Sequence, residues 1–215
     1  MTPPRAGSAP PATVLYGHRE SGHAYKVALA LTCLGIVFQF RVVDPASDRA
    51  DRPVDWAAAS RFGEIPVLIW RGEPLVQSNA ILLKLAQDLG ALGWDVDPQR
   101  LTEWLFWEAN RIGFSLPNLR HALHRPGSQS PVTMAWLRGR LEADIGQLDQ
   151  VFIRQPFLLG EQLSAADRAC CGYLFYADQI DLDLAAWPGV LGWLERIRSI
   201  PGWAHPYVLQ ADSVA

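Results

Sequence analysis

Residues 63–82 constrain this chain more than any other stretch. They read Gly63-Glu64-Ile65-Pro66-Val67-Leu68-Ile69-Trp70, then Arg71-Gly72, then Glu73-Pro74-Leu75-Val76-Gln77-Ser78-Asn79-Ala80-Ile81-Leu82. A proline heading an apolar run has no N–H to give a ladder, so it belongs at the mouth of a strand, where the adjoining backbone can pair with an added extended peptide. Ile65-Pro66 is also a bond of the one type that adopts the cis form at modest cost, which would turn the chain sharply at the sheet. Arg71-Gly72 predicts a hairpin turn. Gln77-Ser78 then opens an amphipathic helix whose first N–H groups and serine hydroxyl are free to meet a carboxylate. Together these features describe a socket for a short acidic peptide.

The rest of the chain is long enough to bury a core around such a socket. At 215 residues it fits one large domain or two small ones, and 49% hydrophobic with 19% charged residues is the balance of a soluble globular protein. A net charge of -3, from 19 Lys and Arg against 22 Asp and Glu, argues against nucleic acid or an anionic membrane as a primary partner. Cys33, Cys170 and Cys171 lie in apolar helical patterns without CxxC or metal-ligand spacing. They are expected to pack as small hydrophobes, with no metal bound. Their odd number and the lack of a secretion signal favour a reducing cytoplasm. Residues 1–12, rich in proline and small residues, read as a disordered tail.

From there the apolar periodicity changes once. Thr13 to Gly17 is a short strand entering a turn. Ser21-Gly22 precedes a helix carrying Val27, Leu31 and Leu34, which stops at Gly35. Residues 37 to 43 alternate as a half-buried strand, with Phe38, Phe40 and Val42 on one face. An irregular helix near Trp56 follows, then the hairpin, then a helix from Ser78 to Leu89. After residue 93 the strand signal fades. Pro98 to His121, Pro131 to Phe152, Ser164 to Ala177 and Pro188 to Ile200 read as helices, the second with Leu137, Leu141, Ile145, Leu148 and Phe152 inward and Arg138/Glu142 and Arg140/Asp144 paired outward. The expectation is a mixed α/β domain over residues 13–92 and an all-helical domain over residues 97–215.

In this order, four pieces of the chain resemble the cytosolic glutathione transferases. Leu15-Tyr16-Gly17-His18 through Ser21-Gly22-His23-Ala24-Tyr25-Lys26-Val27 resembles the first strand, active-site turn and first helix. Glu64-Ile65-Pro66-Val67-Leu68 resembles the segment with the cis-proline, and Gln77-Ser78-Asn79-Ala80-Ile81-Leu82 the gamma-glutamyl signature. Ser164-Ala165-Ala166-Asp167 resembles the buried capping box of the helical domain. The resemblance covers nearly the whole chain after residue 12, and it implies a thioredoxin-like N-terminal domain joined to a helical bundle.

That resemblance also implies roles. Ser21 stands where serine-type members place the hydroxyl that contacts the glutathione sulfur; it is equally a natural N-cap, and both can hold at once. His23 is the next candidate for that contact, whereas Tyr16 reads as a strand end. Glu64, Ile65, Pro66 and Val67 would hold the tripeptide, Val67 by pairing its backbone with the cysteinyl residue as an added strand. Gln77 and Ser78 would hold the gamma-glutamyl end. The glycyl carboxylate has four candidates, Arg49, Arg52, Trp56 and Arg61. One hydroxyl is sufficient for the chemistry: a hydrogen bond to a charge contributes about 1.5–3 kcal/mol and a helix N-terminus about 0.3–1 kcal/mol, which moves a thiol from about 8.5 to roughly 6–7.

Trp107, Asn110 and Phe114, on the first long helix of the bundle, are the candidates for lining the electrophile site. Asp167 is expected to be structural, closing a reciprocal cap with Ser164. The implied activity is conjugation of the glutathione thiolate to hydrophobic electrophiles, by a cytoplasmic homodimer that uses glutathione as co-substrate. Two rivals share the scaffold: a glutathione-dependent peroxidase or disulfide reductase, and a non-catalytic ligand carrier.

Overall fold

Short apolar runs build a four-stranded sheet ordered β2-β1-β3-β4. In the computed structural model, which describes residues 12–211, β1 (Val14–Gly17) runs parallel to β2 (Gln39–Val42), and α1 (Gly22–Cys33) makes the crossover. The expected tail at residues 1–12 lies, Ala12 apart, outside the described residues. After α2 (Val54–Ala59), β3 (Val67–Trp70) and β4 (Glu73–Val76) form the hairpin, with Arg71 and Gly72 both at positive φ (52° and 87°), as a tight two-residue turn requires. β3 pairs antiparallel with β1 on its other side, so the proline-led strand is central. The Ile65-Pro66 peptide is cis. Gln77 has already left β4 and stands as the cap of α3 (Ser78–Leu89). In β2 the expected face is broken at its end: Phe40 is buried, but Val42 is exposed and Val43 turns inward.

The second half is helical, as its periodicity predicts, with one consequential difference. Pro98 to His121 is two helices, α4 (Pro98–Asn110) and α5 (Ile112–His124), separated at Arg111, whose backbone is non-helical at φ -112°, ψ -107°. Glu108 folds back onto Gly113, where a Cβ would come within 2.3 Å of its carboxylate, and Pro117 cannot donate to the Gly113 carbonyl one turn before it. α6 (Pro131–Phe152) buries the five apolar residues named above. Its outward charge pairs do not form. Asp144 is fully buried and accepts from Arg111 Nε at 2.8 Å, while Arg138 and Arg140 donate to the carbonyls of Ile180 and Asn110.

The expected cap is present at α7 (Ala165–Cys171). Asp167 accepts from Ser164 N and Oγ, from Leu158 N and from Trp193 Nε1 of α8 (Pro188–Arg198), so a local motif also ties two distant segments. Burial raises the Asp167 pKa against those four donors. A 3₁₀ segment, Leu174–Ile180, replaces the expected end of this helix, and α9 (Pro206–Leu209) closes the described chain. One apolar core runs through both halves, from Leu15 and Leu68 in the sheet to Leu141 and Trp193 in the bundle, and a smaller cluster of Tyr16, Val43, Trp56 and Val67 is separate from it. Among the described residues no helix is long and apolar enough to cross a membrane.

Candidate functional site

A cavity of about 900 Å³ lies between the hairpin segment, α1, α2 and the α4/α5 break. Ile65, cis-Pro66, Gln77 and Ser78 form one wall. Gln77 holds φ 66°, a left-handed conformation that costs a non-glycine residue about 1–3 kcal/mol and tends to persist where function demands it. That twist turns the chain from β4 into α3. No side chain caps this helix, so its first N–H groups stay free beside the buried Ser78. Gln77 Nε2 donates to Glu64 Oε2 at 2.7 Å across the rim.

The opposite end narrows the four candidates for a carboxylate contact. Arg52 and Trp56 line the cavity; Arg61 is exposed and does not, and the Arg49 side chain lies outside the described residues. Arg52 donates to the carbonyls of Pro45 and Ser47 and stacks on Trp56, 5.4 Å from the ring centroid. Trp56 Nε1 is buried without a partner.

The floor is a buried polar network that joins the two halves. Lys26 Nζ of α1 contacts both Glu108 oxygens at 3.0 Å and Asn79 Oδ1 at 2.7 Å, and Asn79 Nδ2 donates to Glu108 Oε2 at 2.7 Å. Lys26 and Glu108 are 1% and 2% exposed. A pair this dry is tolerable only because each charge is matched by the other and by Asn79. None of the three residues stood out among the sequence candidates. The available signal was a lysine within the apolar face of α1 and a glutamate within an aromatic helix.

The remaining wall is His23 and Tyr173. His23 Nδ1 is buried and unpartnered, and burial, followed by the charge of Lys26, pushes its pKa down to about 3, so the imidazole is neutral at physiological pH. Ser21 caps α1, accepting from Ala24 N at 3.1 Å; it is 8% exposed and does not line the cavity. Every carbonyl of the turn from His18 to Ser21 is held by the helical half. Gln210 donates to His18 and Ser21, Tyr176 to Arg19, and Arg120 to Glu20. Arg120 also ion-pairs with the Glu20 carboxylate, and Tyr207 donates to it. Burial raises the Glu20 carboxyl, but the bonds from Arg120 and Tyr207 outweigh it and the pKa is lowered. Tyr16 is committed elsewhere: it donates to Asp55 at 2.6 Å, and burial together with that bond pushes its pKa up to about 12.

The structure thus brings His23, Glu64, Ile65, Pro66, Gln77, Ser78 and Phe114 to one cavity, but not Ser21, Val67, Trp107 or Asn110. Val67 is fully buried and has both ladders of the sheet as neighbours, whereas Ile65, half-buried on the other side of the proline, lines the cavity. The break at Arg111 explains the other two. Phe114 follows α5 to the cavity with Pro117, Asn118 and His121, while Trp107 stays with α4 and packs edge-on to Trp104 over a separate groove against α6. Asn110 is exposed at the break. Among the described residues no group of His, Cys, Asp and Glu could hold a metal, and none of the three free cysteines lines the cavity.

A four-stranded sheet with a cis-proline at the mouth of β3, an uncapped helix start beside it, and a helical half closing the cleft define a class, and the chain belongs to it: the glutathione transferase family. The family's N-terminal domain matches residues 11–87 and its C-terminal domain residues 116–196. The chain is 30% identical over 192 residues to the disulfide-bond oxidoreductase YfcG of Escherichia coli (strain K12), covering 83% of this chain and 87% of that protein. It is 26% identical to the maleylacetoacetate isomerase of Rhizobium meliloti (strain 1021) over 90% of this chain and 96% of that one. Among solved structures, a glutathione S-transferase from Xanthobacter autotrophicus Py2 superposes with a TM-score of 0.78 at 28% identity, over 92% of this chain and 98% of that one.

Proposed function

We propose that this chain binds glutathione in the cavity as an extended tripeptide and directs its thiolate onto a hydrophobic electrophile held against α5. The observation that carries the reading is the uncapped start of α3, which opens into a cleft whose other end holds Arg52 and the unpartnered Trp56 N–H. A ligand with a carboxylate at each end and an extended backbone between them satisfies both ends. The gamma-glutamyl group takes Gln77, Ser78 and the α3 amides. The cysteinyl backbone takes Ile65 beside Pro66, and the glycyl carboxylate takes Arg52 and Trp56. Phe114 and Pro117 offer the electrophile an apolar wall. With thiolate and electrophile in one cleft, proximity supplies much of the acceleration. The active form is a homodimer in the cytoplasm, and the exposed aromatics Phe62 and Phe106 are the surface expected to be covered in it.

Similarity to a disulfide-bond oxidoreductase favours a second activity at the same site. None of the three cysteines lines the cavity to form a mixed disulfide with the protein itself. A disulfide substrate would then be reduced by two glutathione molecules in turn: the first forms a mixed disulfide and releases one thiol, the second releases the other thiol and leaves as oxidised glutathione.

Calorimetry with glutathione and with the dipeptide Cys-Gly tests the site. Glutathione is expected to bind at about millimolar or tighter, and loss of the gamma-glutamyl contacts to weaken binding at least about tenfold. Absence of heat from folded protein rejects the reading. Turnover of an aryl halide and of a small disulfide, assayed side by side, separates conjugation from reduction; tight binding without either turnover identifies a carrier.

A further inference from the structure

If the tripeptide lies along Ile65 and Pro66 as proposed, its sulfur falls at the start of α1, and there the cavity is lined by His23 and Tyr173, not by Ser21. Three hydroxyl-bearing residues line the cavity. Ser60 is saturated, donating to the Glu64 carbonyl at 2.9 Å and accepting from its N–H at 3.0 Å. Ser78 sits at the gamma-glutamyl end. The third, Tyr173, comes from the helical half, just after α7, and lies on the first turn of α1.

A pair of glycines makes that placement possible. A Cβ on Gly22 would come within 2.5 Å of the Tyr173 ring, and one on Gly172 within 2.8 Å of the Gly22 carbonyl, so the two chains meet at backbone distance. The His23 ring stands edge-on to Tyr173, with centroids 5.0 Å apart. The Ser21 side chain, which accepts from Ala24 N one turn further on, and the His23 backbone both act on the phenol, lowering its pKa against burial.

We propose that Tyr173 is the catalytic hydroxyl of this enzyme, donating a hydrogen bond to the glutathione sulfur, and that Ser21 acts through it as a positioning residue. The assignment rests on the glutathione reading. The thiol proton leaves to solvent, since the neutral His23 is too weak a base to keep it and the phenol keeps its own proton. Burial raises the Tyr173 pKa, and the contacts from Ser21 and His23 only partly offset it, so the phenol is a donor throughout the neutral range. A donor from the helical half also makes the site complete only when the two halves are docked.

The test is a titration of bound glutathione by its ultraviolet thiolate absorbance in wild type, Tyr173→Phe and Ser21→Ala. Binding of S-methylglutathione, which has no thiol, certifies each site. Tyr173→Phe is expected to raise the pKa of the bound thiol by about one to two units, a ten- to hundredfold loss of thiolate at a pH below it, with S-methylglutathione affinity kept. Ser21→Ala is expected to give a smaller rise. An unchanged titration in Tyr173→Phe, or a larger effect in Ser21→Ala, overturns the assignment while leaving the glutathione site standing. So does loss of S-methylglutathione binding in Tyr173→Phe alone, because the residue is then structural. Failure of wild type to bind S-methylglutathione removes the glutathione reading itself, and the assignment with it.

Discussion

The two sides of the cavity are built by opposite means. The hairpin side, residues 63–82, is built mainly from near neighbours: its cis peptide, its two-residue turn, the Gln77 twist and the α3 start are adjacent in sequence, the Gln77 contact with Glu64 stays within the segment, and Asn79 supplies its hydrogen bonds to the helical half. The turn from His18 to Ser21 is held from outside, its four carbonyls bonded by Gln210, Tyr176 and Arg120 and its acidic side chain by Arg120 and Tyr207. Damage to the bundle should therefore reach the sulfur end of the cavity and spare the peptide-holding end. The comparison fails if both ends respond alike.

The largest effect is expected at the network that joins the halves. Lys26→Met leaves Glu108 buried without its counter-charge and should cost about 3–5 kcal/mol in urea unfolding. Adding Glu108→Gln removes the stranded charge, and the double variant should recover most of that loss. If the single and double variants are equally unstable, the pair is not what holds α1 to α4. In the folded fraction of the double variant, S-methylglutathione should still bind, because Ser78 and Ile65 lie on the hairpin side and Arg52 lies just before α2, none of them on α1 or α4.

This asymmetry also explains what was legible in the sequence. The cis-proline, the hairpin and the Ser164/Asp167 cap announce themselves because each is a contact between near neighbours with its own residue chemistry. The change from alternating to helical periodicity near residue 93 is local in the same way. Tyr173 was not legible, since its role depends on Gly22 meeting Gly172 some 150 residues further on, and no pattern within either segment encodes that meeting. Trp107 and Asn110 are kept away from this cavity by one local event. Without the break at Arg111, seven-residue spacing would put Trp107 and Phe114 on one face; with it, they line different cavities. Asp144 could have been read correctly, because it lies three residues from Leu141 and four from Leu148, on the inward face of α6.

A smaller, pH-dependent effect is expected at the turn side. The folded His23 pKa of about 3 lies below its ordinary value of 6.5. Between those values the unfolded chain binds a proton that the folded chain refuses, so stability falls as pH drops through this window, by up to about 1.4 kcal/mol per pH unit. Glu20 acts in the same direction. Its lowered pKa contributes stability that is present above the ordinary glutamate range and is lost as pH falls through the folded value. Unfolding measured at pH 7 and pH 5 should show wild type losing about 2 kcal/mol more than His23→Asn. Parallel losses in the two proteins would mean that the imidazole is not held neutral by the fold.

The smallest effect, and the sharpest for the local side, belongs to Gln77. Its φ of 66° is uphill for any residue with a Cβ, whereas glycine adopts it freely. Gln77→Gly relieves that strain and loses one exposed hydrogen bond to Glu64, while the added freedom of the unfolded chain works against the gain. These contributions nearly cancel, and melting should change by no more than about 1 kcal/mol in either direction. Glutathione affinity should nonetheless fall, because the side chain that meets the gamma-glutamyl group is gone, and the thiol pKa of whatever glutathione binds should stay at the wild-type value. A change in that pKa would show that the hairpin side reaches the sulfur after all, and the division of the cavity into a locally built grip and a remotely built activating wall would not survive it.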